Sequence, residues 1–216
     1  MKRIVVYLIL LFILLQFSCD RFTILTEAKY LALSESDYES VDGIKYPSGV
    51  YSHWKLDESS GNAIDVKSVT DLNEQGTVGS IAGKIDKGRG QYTSTTIFFK
   101  SDLIQNSQYD IDVFLVEGWF KTGTTGTDQI IVSKWWNAAG MVGWVVQIRA
   151  ADNKLELALN GTSVCVSANA VTDDGWHYFL VGQLSNSGAD NARLYIDDNT
   201  AITNTGRTFT KTQIVI

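Results

Sequence analysis

Carboxylates are the most chemically capable residues in this sequence, and cleavage of a glycosidic bond would need two of them about 5–9.5 Å apart. Three pairs of acidic residues are adjacent in the chain: Asp57 with Glu58, Asp173 with Asp174, and Asp197 with Asp198. These pairs fall at predicted turns, where adjacent side chains diverge and Asp commonly accepts hydrogen bonds from nearby backbone N–H groups. We interpret all three pairs as structural. A catalytic pair would require distant carboxylates, such as Glu117 and Glu156, to converge across a sheet.

Other residue types that support catalysis are scarce. The two histidines, His53 and His177, are too few for a histidine-rich zinc site. No serine lies in the strand–turn–helix context of an activated nucleophile. Gly123 and Gly126 follow no strand-to-helix junction that would cradle a phosphate. The sequence therefore predicts a protein that is not an enzyme.

The tryptophans indicate binding. Trp135 and Trp136 lead into a loop, and consecutive strand residues point to opposite sides, so at most one of the two can lie in a core. Trp119 alternates onto the same face as Glu117 and Lys121. An exposed indole presents a flat apolar face and an N–H donor, which suits stacking against a sugar ring. Trp119, Trp135 and Trp136 are therefore candidate ligand-binding residues, with ordinary packing as the alternative.

The composition limits the class of protein. Hydrophobic residues make up 44% of the 216 residues, with 18 glycines and one proline, which excludes disordered, collagen-like and coiled-coil chains. The formal net charge is −6, so the chain lacks the basic stripe that displaces counterions from nucleic-acid phosphates. We expect no nucleic-acid partner and no electrostatic docking onto anionic lipid.

The N-terminus has the layout of an export signal. Two basic residues precede an apolar run over residues 4–15, which as ~18 Å of helix is too short for a hydrocarbon core of ~30 Å. Residues 1–18 are therefore predicted to be a signal peptide. The sequence around Cys19 resembles a bacterial lipoprotein processing site, and lipidation of Cys19 and plain cleavage nearby remain alternatives. The predicted location is secreted or at the cell surface as an outer-membrane lipoprotein, with membrane contact only through that lipid.

After a spacer expected over residues 19–48, the chain has the pattern of antiparallel strands. Apolar–polar alternation predicts three consecutive strands, over residues 143–149, 154–159 and 162–166. Asn160-Gly161 between the last two predicts a type I′ hairpin turn, and a later hairpin is predicted from Ala192 to Ile202. Cys165 is expected to be a small buried residue without a disulfide partner. No segment after Gly49 keeps a helical period, so we expect an all-β fold.

Several short pieces follow one another in a fixed order: His53–Asn62, Gly83–Ile85, Val116–Lys121, Ile131–Lys134, Asp173–Tyr178 and Leu194–Asp197. Together they resemble the laminin-G-like, concanavalin A-like lectin–glucanase domains. The resemblance implies an antiparallel two-sheet jelly-roll sandwich over residues 49–216. The family pattern continues beyond the position of Phe209 with another turn and a closing strand, so we expect this domain to be C-terminally incomplete and to lack its last strand.

The resemblance also has implications for ligands. Many members of the family bind one calcium ion at the rim through oxygen ligands, which implies calcium as a cofactor. The matching positions are Asp65 and Asn73, and a solvated polar loop is the alternative. The Glu-x-Asp-x-x-Glu pattern of the related glycoside hydrolases is absent.

Three functions are thus in competition. The leading hypothesis is an exported, non-catalytic recognition domain that binds carbohydrate or a surface protein. The second is a structural or adhesive module of a larger cell-surface or extracellular assembly. The third, a glycoside hydrolase, depends on the convergence of distant carboxylates such as Glu117 and Glu156.

Overall fold

A computed structural model describes residues 38–41, 44–47, 50–68, 70–90, 98–100, 113–123, 125–136, 142–184, 192–197 and 202–204. These ranges contain fourteen strands: β1 (Tyr38–Val41), β2 (Ile44–Pro47), β3 (Asn73–Gln75), β4 (Gly79–Ala82), β5 (Lys87–Gly90), β6 (Phe98–Lys100), β7 (Phe114–Lys121), β8 (Gln129–Trp136), β9 (Val142–Ile148), β10 (Lys154–Leu159), β11 (Thr162–Ala170), β12 (Trp176–Gln183), β13 (Ala192–Ile196) and β14 (Ile202–Asn204). In the part of the chain so described there is no helix, and hence none long and apolar enough to cross a membrane.

The chain divides into two compact units, residues 1–50 and 51–216. In the first unit β1 and β2 form an antiparallel pair that begins with Tyr38 opposite Pro47. This hairpin lies within the predicted spacer. The predicted signal peptide and Cys19 lie outside the described residues.

Two four-stranded antiparallel sheets make up most of the second unit, in the orders β11-β10-β9-β8 and β14-β13-β12-β7. The predicted strands at β9, β10 and β11 are confirmed. Asn160 and Gly161 both have positive φ, 48° and 69°, as a type I′ turn requires. The later hairpin is present as β13 and β14, although β14 begins at Ile202, two residues beyond the predicted Thr200.

One hydrophobic core lies between these two sheets. Trp144 of β9 stacks on Phe114 of β7, with ring centroids 4.8 Å apart, and alternate residues of every inner strand contribute to the same cluster. Cys165 is buried within it, as predicted. The all-β prediction is therefore confirmed, and the arrangement is that of a β-sandwich. Glu156 points away from this core but is only 6% exposed, so the second face of β10 is enclosed as well.

A second, smaller core is built by the segment before β3, the link between β3 and β4, and β6. Its buried members are Ala63, Leu72, Val78 and Phe99, with Trp54 and Leu56 packed against them. Arg89 of β5 runs along its edge with a fully buried side chain and forms an ion pair with Glu74, at 2.7 Å. Through Arg89, the β4–β5 hairpin contacts this core. The turn of the hairpin contains Lys84.

Candidate ligand-binding surface

Trp119 is presented by strict alternation along β7. Phe114 and Phe120 point into the core and are buried, whereas Glu117 and Trp119 point outward and are exposed. Gly118 lies between them on the inner side, where an added Cβ would come within 3.3 Å of the Phe179 ring. Trp119 is consequently held on the outer surface of the sheet, with 42% of its surface accessible.

The neighbouring strand adds a second aromatic ring beside Trp119. Antiparallel pairing of β7 with β12 sets Tyr178 directly opposite Trp119, and the two ring centroids are 5.4 Å apart at a tilt of 57°. The hydroxyl of Tyr178 donates to Oε2 of Glu117 at 2.5 Å. From the β4–β5 hairpin, Nζ of the exposed Lys84 lies 5.0 Å from the Trp119 ring centroid. We call these four residues the Trp119 surface.

The pKa values of both hydrogen-bonding side chains of this surface, Glu117 and Tyr178, are raised. Desolvation by the surrounding protein raises the pKa of the Glu117 carboxyl, although part of the side chain is accessible to solvent. The hydrogen bond from Tyr178 opposes that rise. Desolvation, followed by the nearby Glu117 charge, raises the pKa of the Tyr178 hydroxyl. Tyr178 thus remains a donor to Glu117. Within the described residues Oε1 of Glu117 accepts no hydrogen bond, which leaves it to accept one from a ligand hydroxyl.

Trp135 and Trp136 lie at the end of β8, which belongs to the other four-stranded sheet. Their backbones pair with Gly143 and Val142, respectively. Their side chains are outside the described part of the structure. Trp119 belongs to the β14-β13-β12-β7 sheet, and a ligand-binding role for Trp135 and Trp136 stays a prediction.

The two predicted calcium ligands, Asp65 and Asn73, accept hydrogen bonds from different donors. Asp65 is 2% exposed, and its carboxylate accepts backbone N–H groups of His53, Lys67 and Thr70 at 2.9, 2.9 and 3.1 Å. Asn73 instead accepts from the amide of Asn62 at 2.9 Å. Among the described residues no group of three or more His, Cys, Asp or Glu side chains is arranged to hold a metal. The geometry gives Asp65 the role of ordering its own loop.

An open cleft of about 350 Å³ adjoins Asp65 and is lined also by Ile64, Ser68, Thr70 and Asp71. The carboxylate of Asp71 accepts the backbone N–H of Asp65 at 2.8 Å. Both carboxylates at this cleft are therefore engaged with backbone donors. Calcium binding at Asp65 and Asn73 stays a prediction.

Glu117 and Glu156 do not come together. Each points away from the shared core, and they belong to different sheets, so the core lies between them. Glu156 accepts from Nε2 of Gln147 at 2.8 Å and lies 3.7 Å from the guanidinium of Arg149. This pair of carboxylates therefore cannot flank one glycosidic bond.

The sequence predicts that Trp119 and Glu117 share one face of a strand, but it does not predict their contacts with Tyr178 and Lys84. Tyr178 follows 61 residues after Glu117, and only the pairing of β7 with β12 brings the two together. Lys84 comes from a hairpin of the smaller core. No local pattern contains this information, because it depends on which strands pair and on how the second core packs. Comparison with known proteins gives neither a family-model match nor a match to a curated protein.

Proposed function

We propose that this protein is an exported, non-catalytic recognition module that binds carbohydrate on the Trp119 surface. The observation that carries the proposal is the half-exposed indole of Trp119 beside the Tyr178–Glu117 hydrogen bond. Stacking of the apolar face of a sugar ring on an indole, with adjacent hydroxyls bonded to a carboxylate, is a recurrent way to hold a polyol in water. The export part of the proposal rests on the apolar N-terminal segment and Cys19.

The finer fold assignment is also a proposal, namely a laminin-G-like jelly roll. It is supported by the two four-stranded antiparallel sheets around one core. A second support is that two of the family-like pieces are in contact, since the backbone N–H of Tyr178 donates to Asp197 at 2.9 Å. On the same resemblance we propose calcium as a cofactor.

In this proposal Lys84 covers the Trp119 ring until a ligand displaces it. Its ammonium lies over the Trp119 ring at a distance typical of a cation–π contact, which at an exposed site contributes about 0.5–1 kcal/mol. That contact is weak enough to be exchanged for a stacked sugar ring. Lys84 is then free to donate to a ligand oxygen.

A glycan array tests the proposal with the full chain, in calcium and in chelator. We expect selective binding that is weakened about 30-fold in Trp119→Ala, corresponding to a central aromatic contact of about 2 kcal/mol. Ile130→Ala is the matched control, because Ile130 is 59% exposed but lies on β8 in the other sheet. Binding that is equal in both variants would overturn the assignment of the site.

A protein ligand is the second candidate. Val113 and Leu115 are 53% and 49% exposed near the start of β7, and Leu115 lies on the same face as Trp119. An array without any binding, combined with protein partners that depend on Trp119 and Leu115, would favour this candidate.

A further inference from the structure

His177 lies between two carboxylates at one end of the β14-β13-β12-β7 sheet. Its Nε2 is 2.7 Å from Oδ1 of Asp173, and its Nδ1 is 2.8 Å from Oδ2 of Asp197. Asp173 belongs to the turn that precedes β12, whereas Asp197 follows β13. The ring therefore joins two segments that are not adjacent in the chain.

The protonation state follows from a count of donors. A carboxylate only accepts hydrogen bonds, a neutral imidazole has a single N–H, and an imidazolium has two. Both observed contacts can be hydrogen bonds to carboxylates only when both ring nitrogens carry a proton. In the neutral ring, one nitrogen lone pair would face a carboxylate oxygen and repel it.

Among the described residues, the charged groups that act on the ring are Asp197 and Asp173. β7 contributes only the uncharged Phe120 ring, whose centroid is 5.5 Å from that of His177. Asp174 in the same turn pairs with Lys121 instead, at 3.4 Å. Partial burial alone would lower the pKa of His177, but the hydrogen bonds to Asp197 and Asp173 outweigh it, and the net change is a rise.

The two contacts are unequal in strength. Asp197 also accepts the backbone N–H of Tyr178 at 2.9 Å, and its side chain is 38% exposed, against 73% for Asp173. A carboxylate fixed by a second donor is held more firmly than one in open water. The neutral ring should therefore keep its proton on Nδ1, toward Asp197, and release Asp173.

We propose that His177 is a proton-operated clamp, which in its doubly protonated form ties the turn of residues 173–175 to the end of β13 and on deprotonation releases that turn at Asp173. The proton leaves Nε2 for solvent. The clamp is independent of carbohydrate binding. It makes the rim formed by this turn pH-sensitive, while Asp197 keeps Tyr178 in register.

Nuclear magnetic resonance of the ¹⁵N-labelled full chain tests the clamp, because ring nitrogens and turn amides can be followed in one titration. We expect His177 to titrate above 6.5, its value in unstructured peptides, and to hold its remaining proton on Nδ1 when neutral. The amides of Asp174 and Gly175 should shift with the same midpoint. His53 is the internal reference, because burial lowers its pKa.

Two adjacent isosteric variants separate the clamp from a general charge effect. Asp173→Asn should lower the midpoint of His177 and abolish the matching shift of the turn amides. Asp174→Asn, which removes an equally exposed carboxylate that pairs with Lys121, should leave the midpoint nearly unchanged. Equal effects of the two variants, a neutral ring protonated on Nε2, or turn amides that ignore His177 would each overturn the proposal.

Discussion

The buried ion pair of Arg89 and Glu74 should dominate the stability of the smaller core, and Glu74→Gln is the sharpest way to break it. The Arg89 side chain is 0% exposed and donates to Glu74 at 2.7 Å, to the carbonyl of Val78 at 2.8 Å and to that of Gly61 at 3.1 Å. Its guanidinium also lies 5.0 Å from the ring centroid of Phe99. Glutamine preserves the shape of Glu74 but removes its charge.

The expected cost is large because two effects add. The guanidinium of Arg89 stays buried without a counter-charge, which costs about 3–5 kcal/mol when one partner of a buried pair is removed. Glu74 also accepts the backbone N–H of Val78 on one oxygen and that of Gly61 on the other. An amide can accept on only one of these two atoms, so one of the backbone donors is left facing an NH₂ group. The loss is a substantial share of a total stability of about 5–15 kcal/mol.

Urea denaturation followed by tryptophan fluorescence measures this cost. With a denaturant slope of about 2 kcal/mol/M, a loss of about 3–5 kcal/mol moves the midpoint by roughly 1.5–2.5 M. Asp152→Asn is the control, because its partner Arg149 and Asp152 itself are 29% and 32% exposed, and exposed pairs contribute only about 0–1 kcal/mol. If Glu74→Gln shifts the midpoint no more than Asp152→Asn does, the reasoning from burial is wrong.

Three further predictions test the larger sandwich. Gly182→Ala should destabilise by more than about 2 kcal/mol in the same urea assay, because φ is 156° and a Cβ would lie 2.1 Å from a carbonyl oxygen of β7; Gly126→Ala, with no atom within 4 Å of its Cβ, should cost less. Cys165 should resist iodoacetamide in the folded protein, since burial raises its pKa to about 11 and leaves about one thiolate in a thousand at pH 8, and rapid labelling would contradict this. Because the pKa of His177 is raised in the folded state, its stabilising contribution is complete below the unfolded value and is lost as the pH rises through the folded value; the stability of wild type relative to His177→Gln should therefore fall between acidic and mildly alkaline pH, and a constant difference would contradict this.

The strands and turns that the sequence predicts correctly are those that depend only on residues close together in the chain. β9, β10 and β11 alternate clearly, and Asn160-Gly161 fixes the register of its hairpin, because both residues accept positive φ. Asp197 lies in a turn, as predicted, but the backbone N–H that it accepts is that of Tyr178, 19 residues earlier in the chain. Local periodicity and turn chemistry thus sufficed for the all-β class and for part of the core.

The contacts that the sequence could not predict are those between distant segments. Because it carries Glu156, the second face of β10 is predicted from the sequence to be polar and exposed. Glu156 is nevertheless buried. Burial depends on what packs against a sheet, and alternation within a strand does not indicate it. The hydrogen-bond partners of Arg89 come from two earlier stretches of the chain, one at Gly61 and one that contains Glu74 and Val78. His177 likewise acquires its second carboxylate from Asp197, which follows β13. Alternation within one strand holds no information about such partners.

Because side chains of β7 alternate between the outer surface and the core, ligand binding can be tested there without loss of the core. Trp119 and Glu117 contribute to the outer surface, whereas Phe114 and Phe120 on the same strand belong to the core. Removal of a half-exposed indole forfeits less buried area than removal of Phe120, so Trp119→Ala should remain folded where a core truncation costs about 3–5 kcal/mol. A binding defect in a folded Trp119 variant would therefore report on the surface itself. Since Tyr178 is held to Asp197 through its backbone, the same surface should persist in both protonation states of His177.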